Sequence, residues 1–469
     1  MNDKLKIVLF VPDALSIRNY LYSDFIDELN KLNVSVFIYH NLSDEAISEI
    51  EKQKKEIKKT LKIPYFIENA KARMLRESIS YGRLLRNRFF LNNQSIMHFW
   101  SRKNANLKQI FLYRFAEIFG FVLSKSYKLI RIADAFYEKE IGKCLQISQV
   151  ESDLQSINPD LIINLHPRTI TSALIANVAK KLKIKTTTVI FSWDNIPKAR
   201  LISRYDHYFV WSELMKNDLN FLYPEINLNQ IKVVGTPQFE FYFKEKYFTT
   251  KEKFFQEFGL NVNKKTICFS ANDQLSPYEQ NYFEDLCYEL STLNIVERPQ
   301  ILFRNCPVDK SSRFDNTLKK YNNFVKSIPP DWKIDKTGVI YPTYNDFYLL
   351  ANTVKHTDLV INLGSTMAHD FAVLEKPCLY LNYDPVTNSK FKVKDVYEFQ
   401  HFRSMKNLEA VGWINSKNDF IPKIIETLKK PNQTAKDRTR WLHKIVQHPL
   451  QESSKNLSKE IIAICTSVL

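Results

Sequence analysis

The sequence predicts an α/β protein of two doubly wound domains facing a cleft, with a basic helical insertion in the first. Three observations carry this. At 469 residues the chain exceeds one ordinary core. It opens strand–helix–strand, and the same pattern restarts after a polar, basic stretch at 244–265. In both halves short apolar runs stop at polar residues, as parallel strands do where their carboxyl ends face a ligand crevice. The expected divisions are 1–245 for the first domain, with the insertion at 51–150, and 246–430 for the second. Residues 431–469 read as C-terminal helices crossing back to the first domain.

In the first half, Lys6–Val11 is a buried strand, and 20–32 sets Tyr22, Phe25, Ile26 and Leu29 on one helical face. Residues 34–39 are the second strand. The loop between first strand and helix carries Asp13, Arg18 and Asn19 at the strand's carboxyl end. Runs at 160–165, 186–191, 208–211 and 231–234 continue the sheet, with a helix at Thr171–Leu182. They end at His166-Pro167-Arg168, Ser192-Trp193-Asp194-Asn195 and Gly235-Thr236-Pro237, which gathers polar residues on one rim.

In the second half, strands at 266–269 and 300–303 lead into Asn272 and Arg304-Asn305-Cys306-Pro307. A short strand at 339–341 and a helix at 345–354 precede the nearly all-apolar run 359–363, which suits a strand buried on both faces. Gly364 breaks that run, Ser365 and Thr366 stand before a helix at 367–374, and Cys378–Leu381 is the next strand. Amides and two hydroxyls at a helix N-terminus bind phosphate readily. The same hydroxyls serve equally well as simple helix caps. Helices at 421–428, 437–446 and 457–468 close the chain.

Composition narrows the function. There are only 8 Gly, and neither GxGxxG nor GxxxxGK[ST] is present, which demotes NAD-linked chemistry and P-loop phosphoryl transfer. The 6 Cys are scattered without zinc spacing, as buried thiols of a reducing compartment are. No apolar run approaches about 18 residues, and the start lacks signal-peptide character, so a cytoplasmic protein is expected. The net charge of +16 is concentrated: residues 51–128 hold 18 Lys/Arg against 5 Asp/Glu. Interleaved aromatic pairs such as Phe89-Phe90 and Phe99-Trp100 make this segment suit an anionic membrane surface. A solvated helix face over ordinary core is the plainer reading. Nucleic acid is disfavoured, because no RNP1, GXXG or zinc-knuckle pattern accompanies the charge.

Four short motifs then occur in a telling order: Phe191-Ser192-Trp193-Asp194-Asn195, Val234-Gly235-Thr236-Pro237-Gln238-Phe239, Phe303-Arg304-Asn305-Cys306-Pro307, and Asn362-Leu363-Gly364-Ser365-Thr366 with Lys376-Pro377. Together they resemble the GT-B glycosyltransferases, nearest to bacterial surface-carbohydrate enzymes that include UDP-N-acetylglucosamine 2-epimerases and CDP-glycerol glycerophosphotransferases. The resemblance implies two Rossmann-like domains and transfer of a sugar from a nucleotide-activated donor to a surface glycan or lipid-linked acceptor. It implies that Gly364, Ser365, Thr366 and Asn272 hold the donor and that Arg304 neutralises its phosphates. Asp370 falls where the family has a Glu facing the ribose. Gly235 and Thr236 would line the cleft at the hinge. Cys306 replaces a family His, so the resemblance implies that the His role is either managed otherwise or taken by His369 nearby.

An inverting transferase also needs a base for the acceptor hydroxyl. Asp194, Asp13 and His166 are the candidates. Asp194 is preferred, because it follows a buried strand and adjoins Trp193, whose ring would stack on a sugar; an Asx-turn role fits Asp194 as well. Arg18, Asn19, Trp193 and Asn195 fall on the acceptor side. No DxD run stands at a strand end, so neither metal nor other cofactor is expected beyond the nucleotide-sugar co-substrate. The alternatives are a UDP-sugar 2-epimerase or hydrolase, a CDP-polyol phosphotransferase, and a non-catalytic scaffold for anionic lipid or glycan.

Overall fold

The computed structural model describes residues 4–100, 107–273, 277–336 and 338–466. Its first sheet contains β1 (Lys6–Val11), β2 (Ser35–His40), β3 (Lys59–Lys62), β4 (Leu161–Asn164), β5 (Lys185–Val189), β6 (His207–Val210) and β7 (Ile231–Val233). All are parallel, in the order β3-β2-β1-β4-β5-β6-β7. The second half adds β8 (Thr266–Ser270), β9 (Gln300–Arg304), β10 (Val325–Ser327), the antiparallel pair β11 (Trp332–Ile334) and β12 (Ile340–Pro342), β13 (Leu359–Asn362), β14 (Cys378–Leu381) and β15 (Gly412–Ile414). Its main sheet runs β10-β9-β8-β13-β14-β15. Strand order reverses between β1 and β4 and again between β8 and β13. Loops diverge at such splits and leave a crevice, so these two points set where a ligand fits.

Several local readings are corrected. The expected helix at 20–32 is broken into a π-helical turn, Ile17–Leu21, and a helix, Phe25–Lys31. The Ser23 hydroxyl donates to the Tyr20 carbonyl and accepts from the Phe25 amide, each at 3.3 Å, so side chain competes with helix ladder. The stretch 51–150 is not wholly a helical insertion. β3 within it pairs with β2 at the sheet edge, and Gln146–Ile157 packs against the β1 side chains Val8 and Phe10. The inserted part proper is the helices Ala70–Phe90, Leu107–Ser124 and Tyr127–Ile141. Within it Arg83 pairs with Asp134 at 2.7 Å, and the insertion is fastened to the first domain where Arg204 meets the same Asp134 at 3.2 Å and Glu225 meets Arg83 at 3.7 Å. β10, β11 and β15 were not foreseen: Val325-Lys326-Ser327, Trp332-Lys333-Ile334 and Gly412-Trp413-Ile414 offer no continuous apolar run. The last helix is Ser453–Thr466; positions 467–468 of its expected span lie outside the described residues.

The C-terminal segment crosses between the halves. After the helix Arg438–Ile445, the Gln447 amide donates to the Trp211 carbonyl at 2.6 Å. Ser454 Oγ donates to Glu240 at 2.7 Å, and Lys185 Nζ donates to the Ile464 carbonyl at 2.9 Å. Gly235 marks the seam: its φ is 80°, and a Cβ there would stand 2.6 Å from Ser453 Oγ. One apolar core therefore runs from Ile7 and Leu9 through Trp193 and Trp441 to Val360 and Tyr380.

Glu240 at this seam makes stability pH-dependent. Burial pushes its carboxyl from 4.5 to about 7, against the opposing bonds from Ser454. The folded state thus holds a proton that the unfolded state releases. Its contribution is full below pH 4.5, declines up to about pH 7 and is lost above. Glu240→Gln is expected to raise the melting temperature at pH 8 but not at pH 4.5, as a pair of thermal melts would show.

Candidate active site

A cavity of about 750 Å³ lies where the carboxyl ends of the two sheets face each other. At the second sheet's split, the β13 apolar run stops at Gly364, whose φ of 65° turns the chain sharply. Ser365 and Thr366 follow at the cavity wall. Asn362 Oδ1 accepts from the Ser365 amide at 2.9 Å, and Ser365 Oγ accepts from the Met367 amide at 3.3 Å. Thr366 makes no side-chain cap, so of the two only Ser365 is spent on the turn. Across the split, Asn272 Nδ2 donates to the Leu363 carbonyl at 2.5 Å and ties the β8 and β13 loops together.

Arg304, at the end of β9, is the electrostatic centre. Its Nη2 donates to Asp346 Oδ1 at 2.8 Å, while Nη1 is buried without a hydrogen-bond partner. Asp346 also accepts from the Asp331 amide and from Trp332 Nε1, both at 3.0 Å, and faces Arg18 Nη1 at 4.0 Å. Burial alone would raise the Asp346 carboxyl; Arg304 and then Arg18 overcome that and hold it low. Arg18, expected on the acceptor side, is thus a first-domain cation reaching the second-domain wall. Asp370 lines the cavity as well, but it is buried and accepts from Tyr242 OH at 2.9 Å. Burial pushes it up to about 6, against Arg18, Tyr242 and Arg304.

The remaining wall came without warning from the sequence. The turn Gln94–Phe99 of the insertion places His98 and Phe99 in the lining, together with Lys390, Lys392, Phe399, His401 and Phe402 of the second domain. Phe99 stacks on Phe399 with ring centroids 5.5 Å apart, and Ser95 Oγ and Asn93 Nδ2 donate to the Glu398 carbonyl. No local pattern marks such residues, because their partners lie about 300 positions away.

On the first domain, the β1/β4 split carries the pair of Asp13 and His166. Asp13 Oδ2 is bonded to His166 Nδ1, which leaves Nε2 outside that bond. The Phe191 ring packs edge-on to the imidazole at 4.3 Å, and Asn164 Oδ1 accepts from the His166 amide. The pair does not belong to the cavity lining. Arg168 lies in the field of Asp194 and Asp13, and its Nε is buried without a hydrogen-bond partner.

Other expected residues are placed differently. Asp194 lines the cavity, but Lys198, one helical turn on, forms an ion pair with it, and Ser192 and Asn195 donate to its Oδ1. Burial would raise this carboxyl, yet Lys198, with the hydrogen bond from Ser192, holds it far below the usual range. That is a clamped anion and a poor base. The Asp–Lys spacing of four was the legible signal. Trp193 is buried among His369, His401, Phe402 and Trp441, so its ring has no face for a sugar. Asn195 and Asn19 are also buried, the latter donating to Gln238 Oε1 at 3.3 Å. Gly235 and Thr236 belong to the seam rather than the cavity wall; Thr236 is fully buried and its Oγ1 accepts from the Gln238 amide. His369 does not replace the missing family His. It is fully buried between Trp193 and Trp441, with neither ring nitrogen hydrogen-bonded, and burial pushes it down to about 3. His401 does reach the cavity, where burial keeps it neutral with a value of about 4. The Cys306 thiol lines the wall too, and burial raises it to about 11. Among the described residues, no group of three or more His, Cys, Asp or Glu is placed to hold a metal ion.

No family model matches the chain, and no curated protein matches its sequence. Solved structures do resemble it in fold. A UDP-N-acetylglucosamine 2-epimerase described as putative, from Listeria monocytogenes, superposes with a TM-score of 0.57 at 11% identity, covering 98% of this chain and 97% of its own. The Staphylococcus aureus MnaA–UDP co-structure gives 0.53 at 11%, covering 99% and 98%. The Neisseria meningitidis UDP-GlcNAc 2-epimerase bound to UDP-GlcNAc gives 0.51 at 13%, covering 98% and 100%. With the two parallel sheets described above, these establish a GT-B fold of two Rossmann-like domains over nearly the whole chain.

Proposed function

We propose that this protein is an enzyme acting on nucleotide-activated sugars, and that it transfers the sugar to a glycan or lipid-linked acceptor. The observation that carries the reading is the unpaired Nη1 of buried Arg304, set in a cavity wall that also holds the Ser365 and Thr366 hydroxyls at the second sheet's split. A buried cation with an open donor calls for an anionic ligand oxygen. The neighbours that hold UDP or UDP-GlcNAc share this fold, which supports a nucleoside diphosphate there.

The acceptor hydroxyl would lose its proton to His166 Nε2, with Asp13 steadying the imidazolium. The acceptor oxygen would bond to the anomeric carbon as the carbon–phosphate-oxygen bond breaks. Charge developing on the departing nucleotide would fall to Arg304 and the Ser365–Thr366 turn. Because the His–Asp pair stands outside the cavity lining, this step requires the sugar end of the donor to extend from the cavity to the first sheet's split, where one acceptor oxygen meets both His166 Nε2 and the anomeric carbon. Asp13→Asn is expected to lower turnover about a hundredfold, with the donor KM unchanged, as a mispositioned base should.

Epimerisation or hydrolysis of a UDP-sugar is the second reading, favoured by what the neighbours are called. Incubating the protein with UDP-, CDP-, GDP- and dTDP-sugars, with and without a lipid-linked acceptor, separates them by product. A new glycosidic bond formed only with acceptor supports transfer. An altered or released sugar formed without acceptor supports the second reading. No thermal shift with any nucleoside diphosphate, with or without Mg²⁺, would remove both; a ligand at about 100 times its Kd should stabilise by roughly 2.7 kcal/mol.

A further inference from the structure

We infer that the outer face of the helix Leu107–Ser124 is a docking surface for an anionic lipid bilayer. The helix packs inward through Ala116 and Gly120; a Cβ on Gly120 would stand 2.7 Å from the Ser78 carbonyl of the neighbouring helix Ala70–Phe90. Outward it presents Phe111, Phe115, Ile118, Phe119 and Val122, a stripe at helical spacing in which every residue is between 52% and 67% exposed. The next helix, Tyr127–Ile141, adds exposed Leu129, Ile132 and Phe136. An unpartnered run of aromatic and branched side chains on this scale marks an interaction surface.

Charge selects the partner. Arg86 lies over the Phe90 ring at 4.4 Å and Lys125 over the Phe121 ring at 4.2 Å. The acid of this helix, Glu117, is largely buried; it accepts from Trp100 Nε1 at 2.8 Å and lies 3.7 Å from Arg114, whose own side chain stays exposed within the stripe. The surface is therefore apolar and positive. A second copy would bring the same cations against themselves, since a two-fold interface is self-facing. Lipid headgroups supply the opposite charge, and acyl chains take up rings sunk by about 5–10 Å. None of the described helices is long and apolar enough to cross a membrane, so the contact is with one surface. The same insertion contributes His98 and Phe99 to the cavity wall, which links the docked surface to the cleft.

The full-length protein should co-sediment with phosphatidylcholine vesicles containing phosphatidylglycerol, weakly with phosphatidylcholine alone, and less as salt rises. The double variant Phe115→Asp/Ile118→Asp, exposed at both sites, should lose tenfold or more of that binding while keeping the wild-type melting temperature. Arg114→Glu/Lys125→Glu should abolish the preference for anionic vesicles. Equal sedimentation of wild type and the Asp double variant would overturn the proposal. So would vesicle-independent dimers that the Asp variant converts to monomers. Nucleotide-induced thermal shifts are read separately, so failure of this surface is distinguishable from failure of the sugar-nucleotide reading.

Discussion

Arg304→Ala should destabilise the fold by about 3 kcal/mol at pH 7 and abolish any nucleotide-induced thermal shift. Both members of the Arg304–Asp346 pair are buried, and breaking such a pair from one side leaves an uncompensated charge, at about 3–5 kcal/mol. The low end applies because Asp346 keeps the Asp331 amide, Trp332 Nε1 and Arg18. The sign of the pH dependence follows. Asp346 is held below its ordinary 3.8, so the stability it contributes is present above that value and lost as acid protonates the folded carboxylate. Without Arg304 the carboxyl protonates more readily, and the deficit should narrow towards acid pH. Urea unfolding at pH 7 and pH 4 measures this. Arg304→Ala/Asp346→Leu should recover much of the loss, since no buried charge is then stranded. A deficit under about 1 kcal/mol at pH 7 would mean that water, not Arg304, solvates Asp346. Arg304→Lys keeps the charge, and a nucleotide shift lost there too would identify the ligand as bound by the guanidinium fork rather than by charge alone.

Trp441→Ala should cost about 4 kcal/mol, the usual range for deleting a fully buried indole. The ring sits 4.2 Å from His369, 6.0 Å from Trp193 and 6.4 Å from Tyr380, and its N–H donates to Ser404 Oγ at 2.8 Å. It therefore knots the first domain's Trp193 loop, the second domain's β14 and the C-terminal helices. If the chain unfolds as one unit, its large unfolding entropy turns this loss into a fall of only about 4 °C. If the knot is what makes the halves cooperate, calorimetry will show two separated transitions in the variant. A single transition at the wild-type temperature would show that the interface does not depend on this residue.

What the sequence determined by itself was set by local forces. Apolar runs such as 359–363 fix buried strands, and glycine at 364 with a polar successor fixes the turn, because burial pattern and backbone sterics act over a few residues. The residues gathered at the second sheet's split, Asn272, Arg304, Gly364, Ser365 and Thr366, were legible for that reason, and so was the concentration of charge in the insertion. The pairing of Asp13 with His166 was half legible: both stood at strand ends, but strand order had to make β1 and β4 neighbours. Only the tertiary structure decided which rim residues see the cavity. Trp193 and His369 were enclosed by Trp441, a residue some 70 or more positions distant, and Thr236 was sealed within the seam where the C-terminal segment returns. Asp194 was neutralised as a base by how a turn aims Lys198. The insertion's His98 and Phe99 became cavity wall through contacts with the loop at 398–402. Such contacts are carried by packing and charge at long sequence separation, to which local patterning is blind.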